Sequence, residues 1–106
     1  MAKYMFTGTY SLDGLQGVLK EGGSGRRKAS QRVFEAAGGK LESYYFTFGS
    51  DDFVAIVDLP DNVTAAAISM LSAATGAISP KTTVLLTPEE VDAATKKAVD
   101  YRPPGH

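Results

Sequence analysis

The segment Gly22–Lys28, GGSGRRK, combines a glycine-rich turn with two adjacent arginines. Two glycines end one predicted helix, and Ser24 is placed to cap the next. Backbone N–H groups at a helix start lack intrahelical acceptors, so with the arginines they could bind a carboxylate or phosphate. Ser24 and Arg27 lie in the first turn, within reach of one ligand, whereas Arg26 could face solvent and Glu21 could pair with an arginine. The alternative is a hinge with solvated arginines.

Aromatic residues concentrate on the predicted strands. They are Tyr4, Phe6, Tyr10, Tyr44, Tyr45, Phe46 and Phe48. Such a set could line a cleft for a flat organic molecule, with a tyrosine hydroxyl as the polar anchor. We assign Tyr44 and Phe46 to ligand binding on this basis. The alternative is packing in the core and at a subunit interface, which explains each aromatic residue taken singly.

The remaining polar residues form no recognisable catalytic set. Asp51 and Asp52 could serve acid–base chemistry or bind a cation, but successive residues rarely share one site, and turn chemistry explains them. His106 is the only histidine and the chain has no cysteine, so the usual ligands of a transition metal are missing. Lys81 could point to a pocket or discourage aggregation at a sheet edge. The sequence therefore identifies no catalytic residue, no metal and no cofactor.

Composition is that of an ordinary globular domain. The 106 residues suffice for one domain, and 43% of them are apolar and 22% charged. The formal net charge of -1 gives no reason to expect nucleic acid or an anionic membrane as partner. The start, MAKYMFTGTY, does not read as a signal peptide, and no apolar run approaches the roughly 20 residues that cross a bilayer. We therefore expect a cytoplasmic protein.

Periodicity predicts the element order β-α(α)-β-β-α-β-α, a ferredoxin-like α+β domain with a four-stranded antiparallel sheet over residues 1–106. The predicted strands cover residues 4–10, 40–48, 53–59 and 78–86. Predicted helices start at the caps Ser11, Ser24, Asp61 and Thr87. The last helix should end near Val99, and residues 100–106 form an extended tail.

Helical spacing assigns a buried face to the helix that follows Asp61. The apolar positions are Val63, Ala66, Ala67, Met70, Leu71 and Ala74. They recur at i, i+3, i+4 and i+7, the pattern of a helix that packs on a sheet. We therefore expect Met70 and Leu71 to be buried against the sheet.

Both faces of the predicted sheet are apolar. In the second strand, Tyr44 and Phe46 point to one face while Leu41 and Tyr45 point to the other, and the third strand, residues 53–59, is apolar on both sides. A solvated face normally carries polar residues at every second position. A second copy related by a two-fold axis is the simplest cover for the open face.

Several segments point to a family. They are KEGGSGRR, GGKLESYYFTFG, IVDLPDN and KTTVLLTPEEVD, with the terminal YRPPG. Through them the chain resembles the GYD-domain proteins, a family of small prokaryotic proteins. The resemblance implies a ferredoxin-like fold that pairs as a dimeric α/β barrel, and it implies no particular activity. The tripeptide that names the family is matched only by residues 49–52, GSDD, which lack its Tyr, so no role of that Tyr carries over.

Two functions from different classes follow. The first is a homodimeric protein that binds or senses an anionic, partly apolar small molecule in its cleft. The second is a cofactor-independent enzyme, an isomerase or oxygenase, by analogy with other dimeric α/β barrels. A third, simpler function is an assembly module without a ligand. Since no residue is marked out as a base in a closed cavity, the sequence favours a binding protein that assembles as a homodimer or a higher multiple.

Overall fold

The computed structural model describes all 106 residues. Its elements are, in chain order, β1 (Ala2–Tyr10), α1 (Leu12–Ala36), β2 (Lys40–Phe46), β3 (Phe53–Leu59), α2 (Asn62–Ala74), β4 (Ile78–Leu85) and α3 (Pro88–Thr95). This order confirms the predicted α+β class and agrees with a ferredoxin-like fold. None of the helices has the length and apolar character that crossing a membrane would require.

The four strands form one antiparallel sheet in the order β2-β3-β1-β4, and α1 and α2 pack on the same face of it. Side chains alternate cleanly along β1 and β3, so every second residue points to the helices. The buried cluster consists of Tyr4, Phe6, Phe34, Phe53, Ala55, Val57, Leu59 and Ala65. The core is therefore a single layer between the sheet and the two helices.

The helix starts agree with the predicted caps at three positions. Ser11 accepts a hydrogen bond from a backbone N–H in the first turn of α1. Asp61 accepts from the backbone N–H and the hydroxyl of Thr64, and these bonds hold the pKa of the Asp61 carboxyl below its usual value. Thr87 and Glu90 form a reciprocal capping box at α3.

The glycine-rich segment breaks α1, as predicted. Gly22 has φ 78° and ψ 165°, a backbone conformation that a residue without Cβ adopts easily, and the axis of α1 kinks there. Gly22 is the one non-helical residue within α1, so Ser24 lies inside the second half of the helix. The expectation that Ser24 caps this helix is therefore wrong.

A bulge in β2 changes which of its side chains face the helices. The register shifts between Leu41 and Ser43, so Leu41 and Tyr44 both pair with buried residues of β3. Placing Leu41 on the opposite face from Tyr44 was wrong, because the extra residue Glu42 resets the alternation. β2 also ends two residues earlier than predicted, and Phe48 lies in the following loop, fully exposed.

The helix α2 presents its large apolar side chains outward. Ala65, Ile68 and Ser72 are buried or half-buried towards the sheet, whereas Met70 and Leu71 are each 71% exposed. The predicted burial of Met70 and Leu71 against the sheet is wrong. Nearly every residue of α2 is apolar or small, so periodicity could not identify the side that packs.

The last part of the chain lies apart from the core. All residues from Pro88 to His106 are exposed, and α3 ends at Thr95, earlier than predicted. The molecule extends 55 Å in its longest dimension against 32 and 23 Å in the others. We call residues 86–106 the C-terminal arm.

Candidate functional site

A cavity lies between the sheet and the two helices that cover it. Its volume is about 60 Å³, and eight of its twelve lining residues are hydrophobic. The main apolar walls are Phe6, Phe34, Tyr44, Phe53, Ile68 and Ile78. A single water needs roughly 10–15 Å³. The cavity is therefore large enough for several waters or a small organic ion.

Arg26 brings the only charge into this cavity. It lies just after the kink of α1, and its Nη2 donates to Ser30 Oγ over 3.3 Å. Its Nη1 lies 3.7 Å from Glu21 Oε1, an ion pair too long for a good hydrogen bond. The Nε atom is buried and has no hydrogen-bond partner. Leaving a buried donor unpaired is costly, so a hydrogen-bond acceptor at this N–H would stabilise the site.

A hydrogen-bonded pair of tyrosines adjoins Arg26. The hydroxyls of Tyr10 and Tyr44 are 3.0 Å apart, and Tyr44 lines the same cavity as Arg26. When one hydroxyl donates to the other, the accepting hydroxyl keeps a proton that it can donate elsewhere. Burial raises the pKa of Tyr10 far above its usual value, the hydrogen bond to Tyr44 adds to the rise, and the positive charge of Arg26 acts against it. The Tyr10 phenol therefore stays protonated at neutral pH.

Aromatic packing and one carboxylate fix the position of the tyrosine pair. Phe53 stacks against Tyr44 with ring centroids 6.0 Å apart and lies 5.4 Å from the ring of Tyr10. Asp52 accepts a 2.9 Å hydrogen bond from the Tyr10 backbone N–H and so ties the β2–β3 loop to the end of β1. Asp51 instead lies 2.9 Å from Lys81 Nζ. The two neighbouring carboxylates have different partners, as expected from turn chemistry.

Two open pockets adjoin the cavity. One, of about 510 Å³, lies between the first half of α1 and the β2–β3 loop, and Tyr10 and Phe46 line it. The other, of about 610 Å³, is lined by Tyr10, Glu21 and Arg26. Arg26 thus lines both the cavity and an open pocket. A ligand could enter the cavity past its guanidinium group.

The structure separates the five residues predicted to bind a ligand. Arg26 and Tyr44 line the cavity together, and Phe46 lines the neighbouring pocket. Ser24 and Arg27 are exposed and line neither the cavity nor the two open pockets. The expected orientation of the two arginines is therefore reversed: Arg26 faces inward, and Arg27 is exposed.

The cavity residues that were not predicted from the sequence include two on the same face of α1 as Arg26. Ser30 and Phe34 follow Arg26 at i+4 and i+8, so the three lie on one face of α1. That spacing would have shown which arginine shares a face with the buried Phe34. The described residues include no group of three or more acidic, histidine or cysteine side chains that could hold a metal ion.

Comparison with known proteins places these features in a family. No curated protein matches the chain. The family model of the GYD domain matches residues 4–95 of the 106, a span that begins in β1, includes the whole cavity and ends with α3. This match covers most of the chain and agrees with the resemblance of its sequence segments. The chain therefore belongs to the GYD-domain family.

Proposed function

We propose that this protein is a homodimeric small-molecule binding protein whose cavity takes a short-chain carboxylate, an anionic and partly apolar ligand. The observation that carries the proposal is the buried Nε–H of Arg26, which has no acceptor in a cavity with otherwise mostly apolar walls. A planar guanidinium group matches the geometry of a carboxylate, and charged hydrogen bonds of this kind are short and strong.

The walls of the cavity favour binding of an anion at this point. A charge inside an apolar cavity is costly when unpaired, and its attraction to an opposite charge is stronger there than in water. The free hydroxyl proton of the Tyr10–Tyr44 pair can serve a second oxygen of the ligand. The aromatic and aliphatic walls can contact its carbon chain. The volume of about 60 Å³ limits that chain to a few carbons.

Glu21 is the internal competitor for Arg26. Its carboxylate lies at 3.7 Å from Nη1 and leaves Nε unpaired, and its side chain is 39% exposed. A partly solvated ion pair of this length contributes little to stability. A ligand that bonds to Nε directly can therefore bind without first breaking a strong contact.

The available groups favour binding over catalysis. Arg26 and the two tyrosines donate hydrogen bonds, and the raised pKa of Tyr10 makes its phenol a poor general base at neutral pH. A set of donors around an apolar cavity holds an anion in place. The groups in and beside the cavity thus support a binding protein more directly than an isomerase or oxygenase.

The homodimer is proposed from the sheet face opposite the helices. Met5, Val54 and Ile56 lie on this open face and are half-buried by their neighbours. Lys3 pairs with both Glu42 and Asp58 at 3.0 Å, so its ammonium group offsets part of the negative charge at the border of this face. An isologous pair of such faces would cover the apolar residues. Light scattering at micromolar concentration should give the mass of a dimer or a multiple of it, and a stable monomer would refute this part of the proposal.

Isothermal titration calorimetry tests the ligand. Wild type and the variants Arg26→Gln and Arg27→Gln are titrated with carboxylates of two to five carbons and with the corresponding neutral amides. We expect wild type and Arg27→Gln to bind one carboxylate per protomer. Arg26→Gln should bind it about 10- to 100-fold more weakly, the loss typical of a hydrogen bond to a charged group.

Arg27→Gln is the matched control, because it removes the same charge one residue away at an exposed position. Thermal unfolding of each variant establishes that it is folded. Equal affinity in all three proteins, or equal affinity for the amides, would contradict the proposed site.

A further inference from the structure

The outer face of α2 is an exposed apolar surface. Val63 is 79% exposed, and Met70 and Leu71 are each 71% exposed. No residue between Asn62 and Ala74 is charged, so this face carries no strongly hydrated side chain. Single exposed apolar residues are common, but a contiguous uncharged surface of this kind usually marks an interaction site.

An open groove of about 360 Å³ continues this surface towards the edge of the sheet. It lies between α2 and β4, where Ala66 and Met70 face Thr82 and Val84. β4 is an edge strand, and Val84 is 54% exposed. Five of the eight residues that line the groove are hydrophobic, and the other three are polar but uncharged. Its shape and chemistry suit an amphipathic segment.

The C-terminal arm is such a segment. In α3, Val91, Ala94 and Thr95 share one face at i, i+3 and i+4, while the charges of the helix lie on its other sides. Val99 and Tyr101 follow and are exposed. A helix of eight residues is marginal in water on its own, even with the capping box of α3, so it needs a surface to pack on.

We infer that the C-terminal arm of one copy packs in the α2–β4 groove of a second copy. Within its own protomer the arm buries no residue, and the molecule is 55 Å long because part of the chain lies beyond the core. An apolar groove without charge and an arm with one apolar side are complementary. Each chain carries one of each, which is the condition for reciprocal exchange around a two-fold axis.

The size of the contact favours reciprocal exchange over a single contact. A stable interface buries roughly 800 Å² on each partner. One short helix face offers less than this. Two exchanged arms give every protomer two contacts, one through its groove and one through its arm. This inference does not depend on the ligand of the Arg26 cavity.

Cross-linking between distinguishable chains tests the inference, since the chain has no cysteine of its own. Two full-length chains with different tags are co-expressed, one carrying Met70→Cys and the other Val99→Cys, and are treated with a short bismaleimide. We expect a cross-linked product that contains both tags. The control pair replaces Met70→Cys by Gln31→Cys, an exposed position on α1, and should give at least tenfold less product.

A second measurement uses charge to prevent docking. In light scattering over a dilution series, Met70→Glu should dissociate to a smaller assembly at a higher protein concentration than wild type, whereas Gln31→Glu should not; the sheet-face contact is unchanged in both. Both positions are exposed in the protomer, so neither substitution removes a core contact. Equal cross-linking of the two pairs, cross-links only between chains with the same tag, or dissociation of Met70→Glu at the same concentration as wild type would overturn the inference. Arg26→Gln should leave the cross-link intact, which separates this result from the fate of the ligand site.

Discussion

β3 and α2 are both strongly apolar, but their apolar side chains have opposite surroundings. In β3, Phe53, Ala55, Val57 and Leu59 are buried, and the last three are wholly inaccessible. In α2, Val63, Met70 and Leu71 are at least 71% exposed, and Ile68 is the one large apolar side chain that packs on the core. The strand thus lies at the centre of the protomer core, whereas most of the large apolar side chains of the helix are exposed.

The difference shows that apolar periodicity identifies a face but not what covers it. A core residue in β3 contributes to folding of the single protomer. An apolar residue on the outer face of α2 can contribute only through another molecule. Substitutions in the two regions should therefore differ in the quantity they change: the free energy of unfolding for β3, and the assembly state for α2.

The largest effect is expected for Leu59→Ala. Truncating a fully buried leucine removes its transfer free energy and leaves a cavity, which costs about 2–5 kcal/mol. Chemical denaturation should show this loss at every protein concentration. Leu71→Ala is the matched substitution in α2, and its effect on unfolding should be small at low concentration and grow as the protein assembles. The distinction between the regions fails if both variants lose the same stability at all concentrations.

Two glycine-to-alanine substitutions compare a tightly packed position next to β3 with an open position on a helix. A Cβ at Gly39 would collide with the backbone oxygen of Asp58 and lie 2.6 Å from Leu59 Cδ2, so Gly39→Ala should destabilise the protein by about 1–3 kcal/mol. A Cβ at Gly17, in the first half of α1, would meet no atom within 4 Å. Gly17→Ala should instead stabilise the protein by roughly 0.5–1 kcal/mol, because alanine loses less backbone entropy. Thermal unfolding of both variants measures the two signs, and a shared sign would contradict the packing described for them.

The smallest effect concerns pH. The pKa of Tyr10 is raised on folding, mainly by burial, so its contribution to stability is fully present below the unfolded value of about 10 and is lost as pH rises above it. Unfolding free energy measured from pH 8 to 11 should therefore fall less steeply for Tyr10→Phe than for wild type. Tyr101→Phe, at an exposed position, is the control and should follow wild type. Identical slopes for Tyr10→Phe and wild type would show that this phenol is not buried as described.

The fold could be predicted from the sequence wherever local chemistry decides it. Ser11, Asp61 and Thr87 have the side chains that cap helices, and the structure uses all three. The glycines at 22 and 23 predicted a break in α1, and Gly22 provides it through its positive φ. Such features depend on a few neighbouring residues, so a sequence pattern is sufficient.

The orientation of side chains could not be predicted, because it depends on events elsewhere in the chain. One bulge residue, Glu42, moves Leu41 to the face of Tyr44. For the arginine pair, the spacing of Arg26, Ser30 and Phe34 indicates the inward side chain only once Phe34 is known to be buried. That this side chain has an unpaired donor is shown only by the structure.

The most direct test of the proposed cavity is to observe the Arg26 Nε–H itself. The chain has four arginines, and their Nε resonances can be recorded by ¹H–¹⁵N NMR, with Arg26 assigned by its loss in Arg26→Gln. During titration with a short-chain carboxylate such as butyrate, we expect the Arg26 resonance to shift saturably while the other three stay in place. An unchanged Arg26 resonance, or equal shifts at all four arginines, would contradict a carboxylate site in this cavity.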